Sequence, residues 1–260
     1  MTGAITSRMV THPFTYRLRN AVRATGIEVV AWRMGGNMLS QHLDELLRRY
    51  QINCVLDVGA RRGEYGLWLR GAGYKGRIVS FEPVRQNIAQ LRATASRDPG
   101  WAVQPYALGA AEGKAQINVT NHTNFSSFRT PGKLASEIFA VESQIVSTEE
   151  VTIRRLADVF DDVTRELGEP RVYLKMDTQG FDLEVLRGAR EKLHHVLALQ
   201  SEMAVQPIYE DNPTFDQAWP EIASYGYSFS GMFPVTLDPR MRLVEFDCVA
   251  VRDDAAVRPD

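Results

Sequence analysis

The stretch Cys54-Val-Leu-Asp-Val-Gly-Ala-Arg-Arg-Gly-Glu-Tyr65 reads as an apolar strand ending in Asp57, a tight turn flanked by Gly59 and Gly63, and the start of a helix. A turn beyond the carboxyl end of a strand is where open α/β sheets bind ligands. Glycine there lets a ligand come close to the backbone. The spacing is Gly-x-x-x-Gly, not the Gly-x-Gly-x-x-Gly that sets a pyrophosphate on a helix N-terminus. This looser turn, with an acid before it, suits an uncharged nucleoside with a cationic amino-acid tail. Ala60, Arg61 and Tyr65 belong to the same turn and join Asp57, Gly59 and Gly63 as candidate cofactor contacts. Taken alone, the stretch also reads as a plain core strand and turn.

The next apolar run, Ile78-Val-Ser-Phe-Glu-Pro83, brings an acid to the tip of a second strand. An acid about 20 residues beyond the glycine turn accepts the ribose hydroxyls of a nucleoside. Its two oxygens match two vicinal donors. On its own Glu82 reads as a helix N-terminal acid followed by Pro83 at the first helical position. Paired with the Asp57–Gly59 turn, the ribose reading prevails.

Further out, short apolar runs alternate with helix-like stretches. The runs are Cys54–Val58, Arg77–Phe81, Ala102–Tyr106, Val172–Met176 and Val196–Ser201; the helices are Glu64–Gly71, Val84–Ser96, Asp182–Lys192 and Phe215–Tyr225. Such alternation implies βαβ units and a parallel sheet with helices on both faces. Tyr227–Phe233 and Leu243–Val251 follow with no helix between them, as a hairpin closing one edge. Residues 1–50 read as a helical cap, and about 110–150 as an inserted lid within the 51–260 domain.

Composition sets the outer limits. The chain has 260 residues, 44 % hydrophobic and 24 % charged, which excludes a disordered or collagen-like chain. A net charge of −2 gives no footprint for nucleic acid. Residues 1–50 hold seven basic and three acidic side chains, a possible contact surface. Cys54 and Cys248 lie in apolar runs and read as core thiols. No stretch is long and apolar enough for membrane insertion, and Arg8, His12, Arg17 and Arg19 interrupt any signal core. A cytoplasmic protein is expected, with self-association left open.

Val55-Leu-Asp-Val-Gly-Ala, Ser80-Phe-Glu-Pro, Ala107-Leu-Gly, Ser126-Ser127, Leu174-Lys-Met-Asp-Thr-Gln-Gly-Phe-Asp and Val185-Leu-Arg-Gly-Ala189 follow in this order. In this the chain resembles the FkbM-type methyltransferases over about residues 50–250. The resemblance implies a Rossmann-like, class I methyltransferase fold: a seven-stranded, mostly parallel sheet with an antiparallel last strand. It implies S-adenosyl-L-methionine as cofactor and O-methylation, mostly of sugar hydroxyls in glycolipids, polysaccharides or glycosylated natural products. It adds Pro83, Tyr106, Ala107, Leu108 and Asp177 to the cofactor side, and Ser126 and Ser127 as cofactor or substrate contacts. One departure is Phe181-Asp182, where Gly-x-Glu is usual; Asp182 is shorter but keeps the charge.

Two more acids face the same crevice. Asp177 closes the fourth strand, with Lys175 on the same strand face, placed to orient a carboxylate or an acceptor oxygen. A helix cap is the alternative role for Asp177, although Asp182 has the better claim to it. Glu202 ends the fifth strand, and in a 3-2-1-4-5 sheet the two ends are neighbours. Paired carboxylates repel unless a proton or cation lies between them. Mg²⁺ held by Asp177 and Glu202 is one solution; Glu202 on substrate hydroxyls without metal is the other. A sugar hydroxyl needs a base or a metal to lose its proton. Asp177 and Glu202 are the candidates, with His122 in the lid as either a base or a polar loop residue. Tyr209 is a candidate substrate wall or a core aromatic. The competing classes are a nicotinamide-dependent oxidoreductase, disfavoured by the absent glycine pattern, and a non-catalytic nucleoside-binding protein.

Overall fold

The computed structural model describes residues 36–257. The chain enters through α1 (Gly36–Arg49) and builds β1 (Cys54–Val58), α2 (Glu64–Gly71), β2 (Arg77–Phe81), α3 (Arg85–Ala95) and β3 (Trp101–Gln104). After an insertion it continues through α5 (Leu156–Thr164), β7 (Val172–Met176), α6 (Asp182–Gly188), β8 (Val196–Ala204), α7 (Phe215–Ser224), β9 (Tyr227–Leu237) and β10 (Leu243–Arg252). The insertion holds β4 (Ala107–Leu108), β5 (Gly113–Thr120), α4 (Lys133–Ile138) and β6 (Ile145–Arg154).

The main sheet has seven strands in the order β3-β2-β1-β7-β8-β10-β9. β3, β2, β1, β7 and β8 run parallel, and β10 is antiparallel to both of its neighbours. β1 and β7 are buried along their whole length, which is why they read as near-continuous apolar runs, broken by Asp57 and Lys175. Leu156, Phe160, Val185 and Ile222 of α5, α6 and α7 pack with Leu56, Leu174 and Leu199 on one face. Leu39, Leu43, Trp68, Leu69 and Leu91 of α1, α2 and α3 pack with Val55, Tyr173 and Ala198 on the other. This is the Rossmann-like architecture that the resemblance implied.

The hairpin read at one edge is present as β9 and β10, and the structure adds to or differs from the sequence reading elsewhere. The last strand, β10, inserts between β8 and β9, so β9 is the edge. β8 runs on to Ala204, so Glu202 lies inside the strand and does not end it. Helix α5 was not anticipated. The segment read as a lid is strand-paired: β6 joins β4 and β5 in a three-stranded sheet. It buries Ile117, Val119 and Val151 against Val84, and Phe125, Ala135 and Phe139 against Ile208, Tyr209 and Val244. Of the proposed helical cap, residues 1–35 lie outside the described residues, and α1 is the part described.

Candidate functional site

The site arises where polar residues break the apolar pattern of one sheet face at the carboxyl ends of the strands. Register sets Asp57 of β1 beside Lys175 of β7, and Lys175 beside Gln200 of β8. One step further, Glu202 of β8 pairs with Asp247 of β10. Paired residues share a face, so all five side chains lie on the α1–α2 side. Lys175 Nζ is 3.2 Å from Asp57 Oδ1 and 3.5 Å from Asp177 Oδ2. Burial works against the ammonium, but the two carboxylates outweigh it and hold the pKa of Lys175 above its usual value. Asp57 also accepts from Ser80 Oγ at 3.3 Å, and Ser80 Oγ accepts from Trp101 Nε1 at 2.9 Å.

Gly59 joins the first and fourth strand ends. Its φ is +78°, and a Cβ there would stand 2.0 Å from the carbonyl oxygen of Asp177. No other residue fits. Beside it, Glu82 is almost fully buried. Oε2 accepts from Arg61 N at 2.7 Å; Oε1 accepts from Val84 N at 2.9 Å and Asn87 Nδ2 at 3.2 Å. Burial pushes its pKa up to about 7 against those donors.

A cavity of about 290 Å³ opens over these groups. Gly59, Ala60, Arg61, Tyr65, Glu82, Pro83, Ala107 and Leu108 line it toward β2; Lys175, Asp177, Gln179, Gln200, Glu202 and Asp247 line it toward β8 and β10. Ser126, Phe128 and Phe181 add walls from the insertion and from the loop before α6, and Leu39 adds one from α1. Between β7 and α6 the chain is folded tightly by Asp182. Its Oδ1 accepts from Thr178 N at 2.9 Å and Oδ2 from Ser201 Oγ at 2.7 Å.

Acids crowd the β8–β10 end. Glu202 is pushed well above the usual carboxylate range by burial and by Glu245, Asp177, Asp247 and Asp182 around it. Burial raises Glu245 to about 8 and Asp247 to about 6. The Gln179 amide lies between Asp177 and Glu202, donating from Nε2 to Asp177 Oδ1 and to Glu202 Oε2 at 2.8 Å each.

The structure gathers most of the sequence candidates in this cavity, but not all. Asp57 sits beneath Lys175 and does not line it. Gly63 packs toward Leu91 and Trp101. Tyr106 turns to Phe81 and the Arg154 guanidinium. Ser127 is buried with its hydroxyl on Gln179 O at 2.7 Å. Tyr209 stands behind Gln179, donating to its Oε1 at 2.7 Å. His122 is exposed in the turn after β5 and lines no part of the cavity, so its candidacy as base is corrected. Mg²⁺ does not fit either. An N–H donor fills the space between Asp177 and Glu202, and no group of three or more potential ligands converges among the described residues. Gln179, Gln200, Glu245 and Asp247 were missed. Asp247 and Glu245 are two acids in an otherwise apolar strand, a readable signal, but the neighbour of each depends on where β10 inserts.

The Methyltransferase FkbM domain family matches residues 57–229. No curated protein matches the chain in sequence. Among solved structures, a protein of the NADB-Rossmann superfamily from Streptococcus agalactiae is similar at 11 % identity and a TM-score of 0.45, over 84 % of this chain and 69 % of that one. Fibrillarin from Aeropyrum pernix with bound S-adenosyl-L-methionine gives 11 % and 0.43, over 81 % and 74 %. WbdD gives 16 % and 0.43, over 84 % of this chain and 39 % of that one.

Proposed function

This chain belongs to the FkbM methyltransferase family, and on that premise we propose that it moves the methyl group of S-adenosyl-L-methionine to a hydroxyl oxygen of a sugar or glycosylated acceptor. The observation that carries this reading is the single cavity reaching from buried Glu82 to the Asp177–Glu202 pair. The residues present fit the cofactor. Glu82 offers two carboxylate oxygens at the tip of β2 for the ribose, and Gly59 leaves the backbone bare for close approach. Ala60, Pro83, Ala107 and Leu108 supply apolar wall beside them.

When bound, the cofactor supplies an activated methyl group on a sulfonium. The work of the protein is to hold the acceptor hydroxyl in line behind that methyl, to exclude water and to take the hydroxyl proton. Asp177 and Glu202 are the groups within reach of an acceptor at the β8–β10 end.

Calorimetric titration with S-adenosylhomocysteine and with NAD tests the cofactor. Binding of the first and not the second is expected; the reverse would sink the reading. Transfer of labelled methyl to a panel of glycans, glycolipids and simple polyols tests the acceptor class. Methylation confined to amines or thiols would overturn the choice of a hydroxyl.

A further inference from the structure

We propose that Gln179 is a positioning residue that divides the work of the two carboxylates, occupying both oxygens of Asp177 jointly with Lys175 and leaving Glu202 Oε1 as the oxygen that receives the acceptor proton. This rests on the methyl-transfer reading above. The amide orientation follows from its partners, since the flipped form would press a carbonyl oxygen against two carboxylates. Nε2 spends both hydrogens, one on Asp177 Oδ1 and one on Glu202 Oε2, and Oε1 accepts from Tyr209. Asp177 Oδ2 has the Lys175 ammonium at 3.5 Å. Glu202 Oε1 has no hydrogen-bond donor among the described residues, and Glu202 lines the cavity.

Gln179 is itself fixed. Its φ is +54°; Ser127 Oγ donates to its carbonyl oxygen at 2.7 Å, and Arg129 Nε donates to the next carbonyl, Gly180 O, at 2.6 Å. The groups facing Glu202 are Glu245 and Asp247 from β10, Asp177 at the end of β7, Asp182 from α6, and Tyr209 beyond β8, while Lys175 is paired with Asp177. All the carboxylates oppose a second negative charge, so Glu202 has the proton affinity that a base for a hydroxyl requires. In the step, the acceptor oxygen bonds the methyl carbon and the carbon–sulfur bond breaks with its electrons left on sulfur. The hydroxyl proton passes to Glu202 Oε1. The sulfonium charge is lost and the carboxylate is neutralised, so charge balances.

The test is a carboxyl ¹³C NMR titration of the whole protein, with the Glu202 signal assigned by its loss in Glu202→Gln. In wild type the Glu202 midpoint is expected near or above neutrality. Gln179→Leu removes a donor to the charged form, so the midpoint moves up by about one unit, a tenfold change in proton affinity. With any acceptor found in the panel, the acid limb of kcat/KM moves with it, while S-adenosylhomocysteine affinity stays within about threefold. A Glu202 midpoint in the ordinary carboxylate range, or one that Gln179→Leu leaves in place, overturns the proposal. Failure of S-adenosylhomocysteine to bind wild type would instead sink the functional reading. Gln179→Asn, which keeps the amide but shortens its reach, guards against a fold defect in Gln179→Leu: it too raises the midpoint if the bridge matters.

Discussion

Glu82, the residue proposed to bind the ribose, links burial to the expected cofactor affinity. Its pKa of about 7 means that the folded protein holds a proton there between the ordinary carboxylate range and pH 7, where the unfolded chain has lost it. Its contribution to stability therefore falls as pH rises through that window. Ribose hydroxyls donate, so they bind the ionised form. S-adenosylhomocysteine affinity should be about tenfold weaker at pH 6 than at pH 8, with proton release visible by calorimetry in buffers of different ionisation enthalpy. Equal affinity at both pH values would remove Glu82 from the ribose. Glu82→Ala should weaken binding about tenfold to a hundredfold. Lys175 makes the complementary case. Lys175→Met leaves Asp57 buried without its counter-charge, which should cost about 3–5 kcal/mol in urea denaturation. Adding Asp57→Asn should recover much of that loss; an additive double variant would argue against the pair.

Elements explain why the loop Asp177–Phe181 holds its shape. The insertion latches onto it through Ser127 and Arg129, and Arg129 Nη1 also donates to Asp211 O at 2.6 Å. Three segments distant in sequence are thereby tied at the cavity wall. Arg129→Ala should speed hydrogen exchange at the Thr178 amide about tenfold or more, while exchange in β1 stays unchanged. An unaltered Thr178 rate would show that Asp182 alone holds the loop. The Val185-Leu-Arg-Gly-Ala189 and Ala107-Leu-Gly stretches also meet here. A Cβ at Gly188 would lie 2.0 Å from Gly109 O, so the insertion and α6 touch through backbone.

At the scale of the molecule, α1 begins at the rim of the cavity, since Leu39 lines it while Leu43 and Leu46 anchor the helix in the core. Gly36, where α1 starts, thus stands about one helical turn from a cavity-lining residue. Deleting residues 1–35 should therefore reduce acceptor turnover at least several-fold while S-adenosylhomocysteine affinity changes little. Normal methylation by the truncated protein would make the segment peripheral. Among the described residues no helix is long and apolar enough to cross a membrane.

The strands β1, β2 and β7 could be read residue for residue, because strands buried on both faces are near-continuous apolar runs and glycine turns mark their ends. Asp57, Gly59 and Glu82 were legible for the same reason: each stands at a strand end, at a spacing set by one βαβ unit. Local pattern ends there. The insertion's pairing of β6 with β4 and β5, and the placing of β10 between β8 and β9, depend on contacts between distant segments. Only that register sets Asp247 beside Glu202, and only the packed loop sets Gln179 between two carboxylates. Tertiary packing also turned His122 outward and spent Ser127 and Tyr209 on holding Gln179. A sequence carries the periodicity of its own elements; which polar side chains face one another across a sheet is decided by how those elements are stacked.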